Sequence, residues 1–274
     1  MNKRKRLLKI VIRTVLISFS AALATLMLFE TRLIYPAPDP LQAIWTPKDF
    51  VYEDVTLTAA DGTSLHGWYL PHEDAKACLL YFHGNGEHVP WCADQMGQWR
   101  DRLGINVLLM DYRGYGKSGG KPTESALIAD GVLAVKWLAD RNQCTPADVV
   151  LWGRSIGGGV AAGVAETTNP KGIILETTFN SLTNVAQSKF WFLPVRWLMQ
   201  NQYDSEDRLR KYQGNLIQWH GAADTLIPIA MGKALFDSVP TSSKQFFVSP
   251  RAGHNDEAPA MFNRAVTDWF KTNP

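Results

Sequence analysis

The 274-residue chain is poor in cysteine, and its three cysteines, Cys78, Cys92 and Cys144, do not make a disulfide framework. It also lacks CxxC and HExxH motifs, which are common patterns of zinc ligands. We therefore expect neither a metal nor another cofactor. Internal repeats and low-complexity segments are absent as well. With 46% hydrophobic and 20% charged residues, the composition excludes a disordered, collagen-like or coiled-coil protein.

Basic residues are scarce outside the N-terminus. Residues 14–274 hold 22 basic and 26 acidic side chains, so most of the chain is mildly acidic. This part has no basic patch with interleaved aromatic residues, and we expect no nucleic-acid partner. The remaining six basic residues lie within the first 13 positions, namely Lys3, Arg4, Lys5, Arg6, Lys9 and Arg13.

A run without charged residues, 14–29, follows the basic cluster. Counted from Leu7 to Phe29, the apolar segment has enough residues for a helix that crosses a bilayer of about 30 Å. We predict an uncleaved signal anchor over residues 1–33. Because positive charges precede the run, the N-terminus should be cytoplasmic and the body extracytoplasmic, which is periplasmic in a bacterium. A cleaved signal peptide ending near Ala22-Leu23-Ala24 and a soluble amphipathic helix are the alternatives.

Spaced prolines follow the anchor, at Pro36, Pro38, Pro40 and Pro47. They predict an extended linker over residues 34–49, and therefore a folded body over residues 50–274. The body opens with apolar runs at 51–58 and 65–70, which flank the turn sequence Ala60-Asp61-Gly62-Thr63 and predict an antiparallel hairpin.

Six further apolar runs alternate with helix-like segments such as 124–139 and 258–270. This alternation predicts an α/β fold with a mostly parallel eight-stranded sheet that has helices on both faces. Ligands of such sheets bind beyond the carboxyl ends of the strands, so the residues that follow each run are the candidates for a site. The six runs are 77–82, 106–110, 149–152, 172–175, 216–219 and 245–248.

The strongest candidate follows the run at 149–152, where Gly153-Arg154-Ser155-Ile156-Gly157 fits the G-x-S-x-G pattern between a strand and a helix. In this context the serine lies on a sharp, strained turn that exposes its hydroxyl. Glycines are needed two residues away on either side, because larger side chains would collide there. We therefore predict that Ser155 is a nucleophile.

A nucleophilic serine needs a base, and the base needs an acid that orients it. Two histidines follow Ser155, and His254, on a loop after the last strand, is the candidate base. His220 is interpreted as a structural residue of its turn. Asp224 is the candidate acid because it follows a strand and lies between the serine and the base, and Glu176 is the alternative.

The tetrahedral intermediate of acyl transfer needs two preorganised N–H donors. The backbone of Ile156, directly after the nucleophile, is one expected donor. The loop His83-Gly84-Asn85-Gly86 should supply the other, with Asn85 as the first choice and Gly84 as the alternative. A G-x-G-x-x-G match at 114–119 does not change this picture, since it lies in the middle of the strand series and not on the first βαβ unit.

As a set, these motifs resemble the α/β-hydrolase superfamily, over about residues 45–274. Within it, the chain is similar to small membrane-anchored α/β-hydrolase-domain proteins described as serine aminopeptidase-like or lysophospholipase-like. The resemblance implies a triad of Ser155, Asp224 and His254. It leaves the substrate open, since members include esterases, lipases, thioesterases and peptidases. The segments that carry the resemblance are 83–85, 111–118, 153–158, 220–224 and 253–254.

Residues 178–210 form a short insert where this fold commonly has its cap. The insert contains the aromatic stretch 190–198, which either roofs an acyl pocket or packs as ordinary core. With a membrane anchor, this predicts a serine hydrolase of esterase or lipase type, acting on a small-molecule or lipid-like acyl ester. A peptidase, thioesterase or acyltransferase with the same triad, and a non-catalytic binding protein of the same fold, are the alternatives.

Overall fold

The computed structural model describes residues 3–47 and 51–273. The predicted junction between linker and body, at residues 48–50, lies outside the described residues. Within the described ranges, eight strands form one sheet in the order β1-β2-β4-β3-β5-β6-β7-β8. Their bounds are β1 Glu53–Thr58, β2 Ser64–Leu70, β3 Cys78–Phe82, β4 Asn106–Met110, β5 Val150–Arg154, β6 Gly172–Glu176, β7 Asn215–Gly221 and β8 Lys244–Ser249.

The helices lie between these strands and before the first one. Short 3-10 turns at Pro40–Gln42 and Pro146–Asp148 complete the regular structure of the described residues. The helices are α1 Lys3–Ile34, α2 Val89–Leu103, α3 Glu124–Arg141, α4 Ile156–Thr168, α5 Leu182–Lys189, α6 Val195–Leu198, α7 Ser205–Arg208, α8 Ile229–Ser238 and α9 Ala260–Thr272.

The predicted hairpin is confirmed in β1 and β2, which pair antiparallel with Thr58 opposite Ser64. Its turn places Gly62 at φ +82°, a left-handed conformation that glycine adopts without steric cost. The Asp61 carboxylate accepts a 3.0 Å hydrogen bond from the Thr63 N–H and closes the turn. β2 also pairs antiparallel with β4, and all the later pairings of the sheet are parallel.

Alternating side chains of the central strands supply two cores, as expected for a sheet with helices on both faces. Leu80 and Phe82 of β3 pack with buried residues of α3, α4 and α8 on one face. Leu79 and Tyr81 pack with buried residues of α2 and α9 on the other. Because successive side chains of a strand point to opposite faces, a short run of apolar residues can serve both cores.

Helix α1 has 32 residues, and its most apolar 18-residue stretch has a mean hydropathy of 2.0. By length and composition it can cross a membrane. Its C-terminal end contacts the body. The Glu30 carboxylate is buried and accepts hydrogen bonds from the backbone N–H groups of Gln200 and Asn201, at 3.0 and 2.9 Å. The Tyr35 hydroxyl lies 2.8 Å from that of Tyr203.

The segment predicted as an extended linker also contacts the body in its described part. Trp45 packs edge-on against Trp68 and His66, with ring centroids 6.2 and 5.4 Å apart. The Lys117 ammonium lies 4.7 Å from the centre of the Trp45 ring. Aromatic burial thus ties residues 40–47 to the edge of the sheet, an attachment that proline spacing alone does not reveal.

The cap consists of α5, α6 and the loops around them. Leu193 and Val195 are buried, whereas Trp191 and Trp197 are 79% and 87% exposed. Neither alternative from the sequence describes these aromatic rings, since they neither pack as core nor point inward as a roof. Trp191 lies in the turn between α5 and α6, and Trp197 lies on α6, a four-residue helix whose buried residue is Val195.

All three cysteines are free thiols in the structure. The fold nevertheless brings the sulfur atoms of Cys78 and Cys144 to within 3.7 Å of each other. Burial raises the pKa of both thiols, which favours their protonated form.

Candidate active site

Ser155 lies between β5 and α4 with φ 53° and ψ −119°, a strained conformation for a residue with a side chain. Two hydrogen bonds of its backbone hold this turn. The Ser155 N–H donates to the Glu176 carbonyl at 2.9 Å, and the Thr178 hydroxyl donates to the Ser155 carbonyl at 2.7 Å. Glu176 is the last residue of β6 and Thr178 lies two residues after it, so this neighbouring strand and the residues that follow it hold the turn from one side.

Three glycines make this turn sterically possible. A Cβ at Gly153 would collide with the backbone of Gly157 in the first turn of α4. A Cβ at Gly157 would collide with the carbonyl oxygens of Phe82 and His83, and one at Gly158 with the side chain of Thr178. The glycine-rich start of α4 therefore lets the helix touch the carboxyl ends of β3 and β6.

The side chain of Ser155 points toward His254, on the loop between β8 and α9. The Ser155 Oγ lies 2.9 Å from His254 Nε2, and His254 Nδ1 lies 2.7 Å from Asp224 Oδ2. Three side chains separated by 69 and 30 positions thus form one hydrogen-bonded chain at the carboxyl edge of the sheet. The structure brings together the three residues that the sequence predicted as nucleophile, acid and base.

Asp224 is held as a carboxylate by its surroundings. Its second oxygen, Oδ1, accepts the backbone N–H groups of Leu226 and Ile227 at 2.9 and 2.8 Å. Burial raises the pKa of this carboxyl, but hydrogen bonds from His220, His254 and the Ile227 N–H outweigh burial and hold the pKa well below its usual range.

The structural interpretation of His220 agrees with its contacts. Its Nε2 lies 2.8 Å from the Ile227 carbonyl and 3.4 Å from Asp224 Oδ2, and the ring is fully buried.

Glu176, the alternative acid, is not in contact with His254. Its carboxylate accepts the indole N–H groups of Trp152 and Trp219, at 2.5 and 2.7 Å, among the side chains that face α2 and α9. Burial raises the pKa of this carboxyl, opposed by the hydrogen bonds of the two indoles. Its backbone carbonyl, not its side chain, supports the serine turn.

The loop after β3 lies against the turn that contains Ser155, because the His83 carbonyl faces the first turn of α4. The Gly84 N–H donates to Glu87 Oε2 at 2.7 Å and is therefore engaged within the loop. The side chain of Asn85 donates to the carbonyl of Ile34, the last residue of α1, and accepts the Tyr115 hydroxyl at 2.7 Å. These contacts fix the loop and connect it to the end of the N-terminal helix.

Glu87 links this loop to the turn that contains Ser155. This residue was not identified from the sequence. While Oε2 accepts from Gly84, Oε1 accepts from Arg154 Nη1 at 2.8 Å, directly before Ser155. One carboxylate thus ties together the two segments that flank the serine hydroxyl. No sequence signal separates Glu87 from other loop acids, because its role depends on the side-by-side position of β3 and β5.

A side chain of the protein itself, Asp111, packs against the G-x-G-x-x-G segment at 114–119. The Asp111 carboxylate fills the space that a Cβ at Gly116 would enter, and it accepts the Val89 N–H at 2.9 Å. Asp111 therefore connects this segment to the start of α2.

Comparisons with known proteins agree with this architecture. The profile of the family described as serine aminopeptidase, S33, matches residues 73–201. The Mycobacterium tuberculosis protein Rv2307c is 31% identical over 268 residues, which cover 93% of this chain and 90% of that protein. The Saccharomyces cerevisiae membrane protein YNL320W is 28% identical over 244 residues, covering 86% of each chain.

A solved structure shares the fold. The Pyrococcus furiosus esterase Pf2001 superposes with a TM-score of 0.68 at 24% sequence identity, covering 86% of this chain and 95% of that chain. At this identity the likeness concerns the path of the backbone, and the chemistry has to be argued from the residues of this chain.

Proposed function

Because the chain belongs to the α/β-hydrolase superfamily, we propose that it is a serine hydrolase that cleaves an ester-type acyl bond. The observation that carries this proposal is the hydrogen-bonded chain from Ser155 Oγ through His254 to Asp224. The two distances in this chain, 2.9 and 2.7 Å, both lie within the range of about 2.6–3.2 Å in which a base can take a proton from a nucleophile.

In this mechanism Ser155 Oγ attacks the ester carbonyl, and its proton moves to His254 Nε2. Asp224 accepts the Nδ1–H of His254, which selects the tautomer with a free Nε2 and stabilises the imidazolium that forms. The imidazolium then protonates the leaving alkoxide, and an acyl-Ser155 ester remains. A water molecule that gives its proton to His254 hydrolyses this intermediate and returns the enzyme to its starting state.

The oxyanion that forms during attack needs donors aimed at it. The Ile156 N–H belongs to the first turn of α4, where backbone N–H groups have no partner within the helix. Asn85 is the second proposed donor through its backbone. The engagement of the Gly84 N–H with Glu87 supports Asn85 over Gly84.

The anchoring of the chain supports an amphiphilic acyl ester as the substrate class. We propose that α1 crosses the membrane once, with the N-terminus in the cytoplasm and the body, from about residue 50, outside it. The six basic residues before the apolar run and the membrane protein among the relatives support this orientation and anchoring. A reporter fused to the C-terminus, active on one side of the membrane only, tests the orientation directly.

The peptidase alternative has one specific support, the description of the matching family as a serine aminopeptidase. The two activities differ in leaving group, an alkoxide against an amine, and the same triad serves both. Turnover of aminoacyl amides in the absence of ester turnover would favour the peptidase.

The central experiment is fluorophosphonate labelling of the full chain in detergent, with a Ser155→Ala variant beside it. We expect labelling of the wild type and none of Ser155→Ala. Ser188→Ala, at an exposed serine of α5, is the matched control and should label like the wild type. A panel of soluble esters of graded acyl length then reports on the substrate class. Equal labelling of the wild type and Ser155→Ala would contradict the proposed nucleophile.

A further inference from the structure

The cap carries an unusual combination of exposure and charge. The side chains of Trp191, Phe192 and Trp197 are 79%, 60% and 87% exposed. Between Glu176 and Asp204 the sequence contains no acidic residue and two basic ones, Lys189 and Arg196. Three exposed aromatic rings on a positively charged segment are typical of a surface that contacts something else, since isolated soluble domains rarely expose such a patch.

The same cap is attached to the end of α1. Leu26, Met27 and Leu33 of the helix and Phe190, Leu193 and Leu198 of the cap line a common apolar cavity of about 110 Å³. Next to this cavity, Glu30 accepts the backbone N–H groups of Gln200 and Asn201. The position of the cap along the helix axis is thereby set by contacts on both sides of Glu30.

If α1 crosses a bilayer as proposed, these contacts determine how deep the cap lies relative to the lipid headgroups. Leu26 and Met27 belong to the charge-free run at 14–29, and Leu26 precedes Glu30 by about 6 Å along the helix axis. Glu30 and Arg32, the first charged residues after the run, lie at the level of the lipid headgroups. Cap residues that line the cavity together with Leu26 and Met27 therefore lie at the boundary between headgroups and acyl chains.

We propose that Trp191, Phe192 and Trp197 dock the cap on the membrane that α1 spans, so that the active site takes its ester from that bilayer. Indole rings favour the membrane interface, where an apolar ring meets a polar headgroup layer. Arg196 and the absence of acidic residues between Glu176 and Asp204 suit a leaflet that contains anionic headgroups. The inference rests on the proposed function and assigns its substrate class, a membrane-resident acyl ester.

The docking surface is also adjacent to the catalytic residues. At the end of α5, the Lys189 ammonium donates a 2.6 Å hydrogen bond to the carbonyl of Thr225, the residue after Asp224. The next side chain, Leu226, is 50% exposed. A cap resting on the bilayer therefore brings the loop of the catalytic acid to the same surface.

Fluorescence quenching tests the docking without any assay of activity. The full chain is placed in nanodiscs whose lipids carry bromine on their acyl chains, and its emission is compared with that in unbrominated nanodiscs. The chain has ten tryptophans and none is in α1, so quenched emission reports on the body. We expect quenching of the wild type that is lost in Trp191→Phe/Trp197→Phe. Trp137→Phe is the control and should still be quenched. Trp137 lies in α3, about 20 Å along that helix from Glu124.

Activity then separates docking from chemistry. Trp191→Ser/Trp197→Ser should lower turnover of an ester embedded in anionic vesicles about tenfold, since two interfacial side chains are lost. Turnover of a short soluble ester should change by less than about twofold, because the triad is intact. Met261→Ser, at a 69% exposed methionine of α9, is the matched control and should not distinguish the two substrates.

The results have distinct meanings. An unquenched wild type, or quenching that persists without Trp191 and Trp197, would overturn the docking surface. A second measurement adds a water-soluble quencher to nanodiscs that hold one chain or two. If Trp191 and Trp197 are protected from this quencher only when two chains share a nanodisc, the patch is an interface between copies, and the lipid assignment is wrong. A wild type that is quenched but hydrolyses neither ester would leave the docking surface in place and contradict the proposed function.

Discussion

The carboxyl edge of the sheet and the cap with α1 differ in whether their side chains find partners within the chain. At the sheet edge, Ser155, His254 and Asp224 are joined at 2.7–2.9 Å, and the backbone around them is hydrogen-bonded as well. In the cap, large aromatic side chains project from the described part of the chain without cover. The chain itself completes the first region, and in our proposal the bilayer completes the second.

The two buried carboxylates near Ser155 provide the sharpest test of the first region. Asp224→Asn should lower kcat by about 10⁴-fold, because the amide favours the wrong tautomer of His254. Glu176→Gln should leave kcat within about threefold, because its contacts are with Trp152 and Trp219. Steady-state kinetics on a soluble ester measures both. The reverse pattern would move the catalytic acid to Glu176.

The glycine at the start of α4 should determine stability. Gly157→Ala places a methyl group against the carbonyl oxygens of Phe82 and His83 and should lower the free energy of unfolding by about 3 kcal/mol. Gly97→Ala is the matched control, since a Cβ there meets no atom within 4 Å, and it should raise the free energy of unfolding by up to about 1 kcal/mol. Urea unfolding compares the two, and equal values would contradict the close packing of α4.

Glu176 should be important for stability even though we expect it to be dispensable for catalysis. In Glu176→Gln a single amide oxygen replaces two acceptors, so one buried indole N–H loses its partner. This should lower the free energy of unfolding by about 2 kcal/mol. Glu176→Ala removes both acceptors and should destabilise further. If neither change affects urea unfolding, the two indole hydrogen bonds do not contribute to the fold.

The attachment of α1 to the cap is expected to be weaker. Glu30→Gln keeps one acceptor and should increase hydrogen exchange of the Gln200 and Asn201 amides about tenfold, equivalent to about 1.4 kcal/mol. Arg32→Gln, an exposed neighbour that also loses one charge, should leave these amides unchanged. Equal exchange in both variants would mean that Glu30 does not hold the cap.

Acid should weaken the fold through Asp224. Its pKa is lower in the folded state than the value of about 3.9 in an unfolded chain. The carboxylate therefore stabilises the fold above about pH 4, and this contribution is lost as the pH falls below that value. Asp224→Asn should show a shallower loss between about pH 4 and pH 2 than Ser155→Ala, which retains the carboxylate. Parallel curves from urea unfolding would contradict this linkage.

The sequence was most informative where a function needs a fixed local pattern. Gly153 and Gly157 around Ser155, and a polar residue after each late strand, predicted which side chains meet. The strand series predicted the sheet and both helical layers, and the structure confirms that fold. Glu87, Thr178 and the packing of Trp45 were not predicted. Their partners lie on other strands, and local patterns carry no information about such contacts.

The amino-acid sequence alone therefore determined the class of fold, the apolar N-terminal helix, and Ser155 and His254 as the proposed nucleophile and base, because each shows in a local pattern of the chain. Only the tertiary structure decided which acid reaches His254, since Glu176 ends β6 with its carboxylate on Trp152 and Trp219, whereas Asp224 lies in the loop after β7. It also decided that the cap aromatics face outward, because α6 buries Val195 and leaves Trp197 exposed, while Trp191 and Phe192 lie in the turn between the two cap helices.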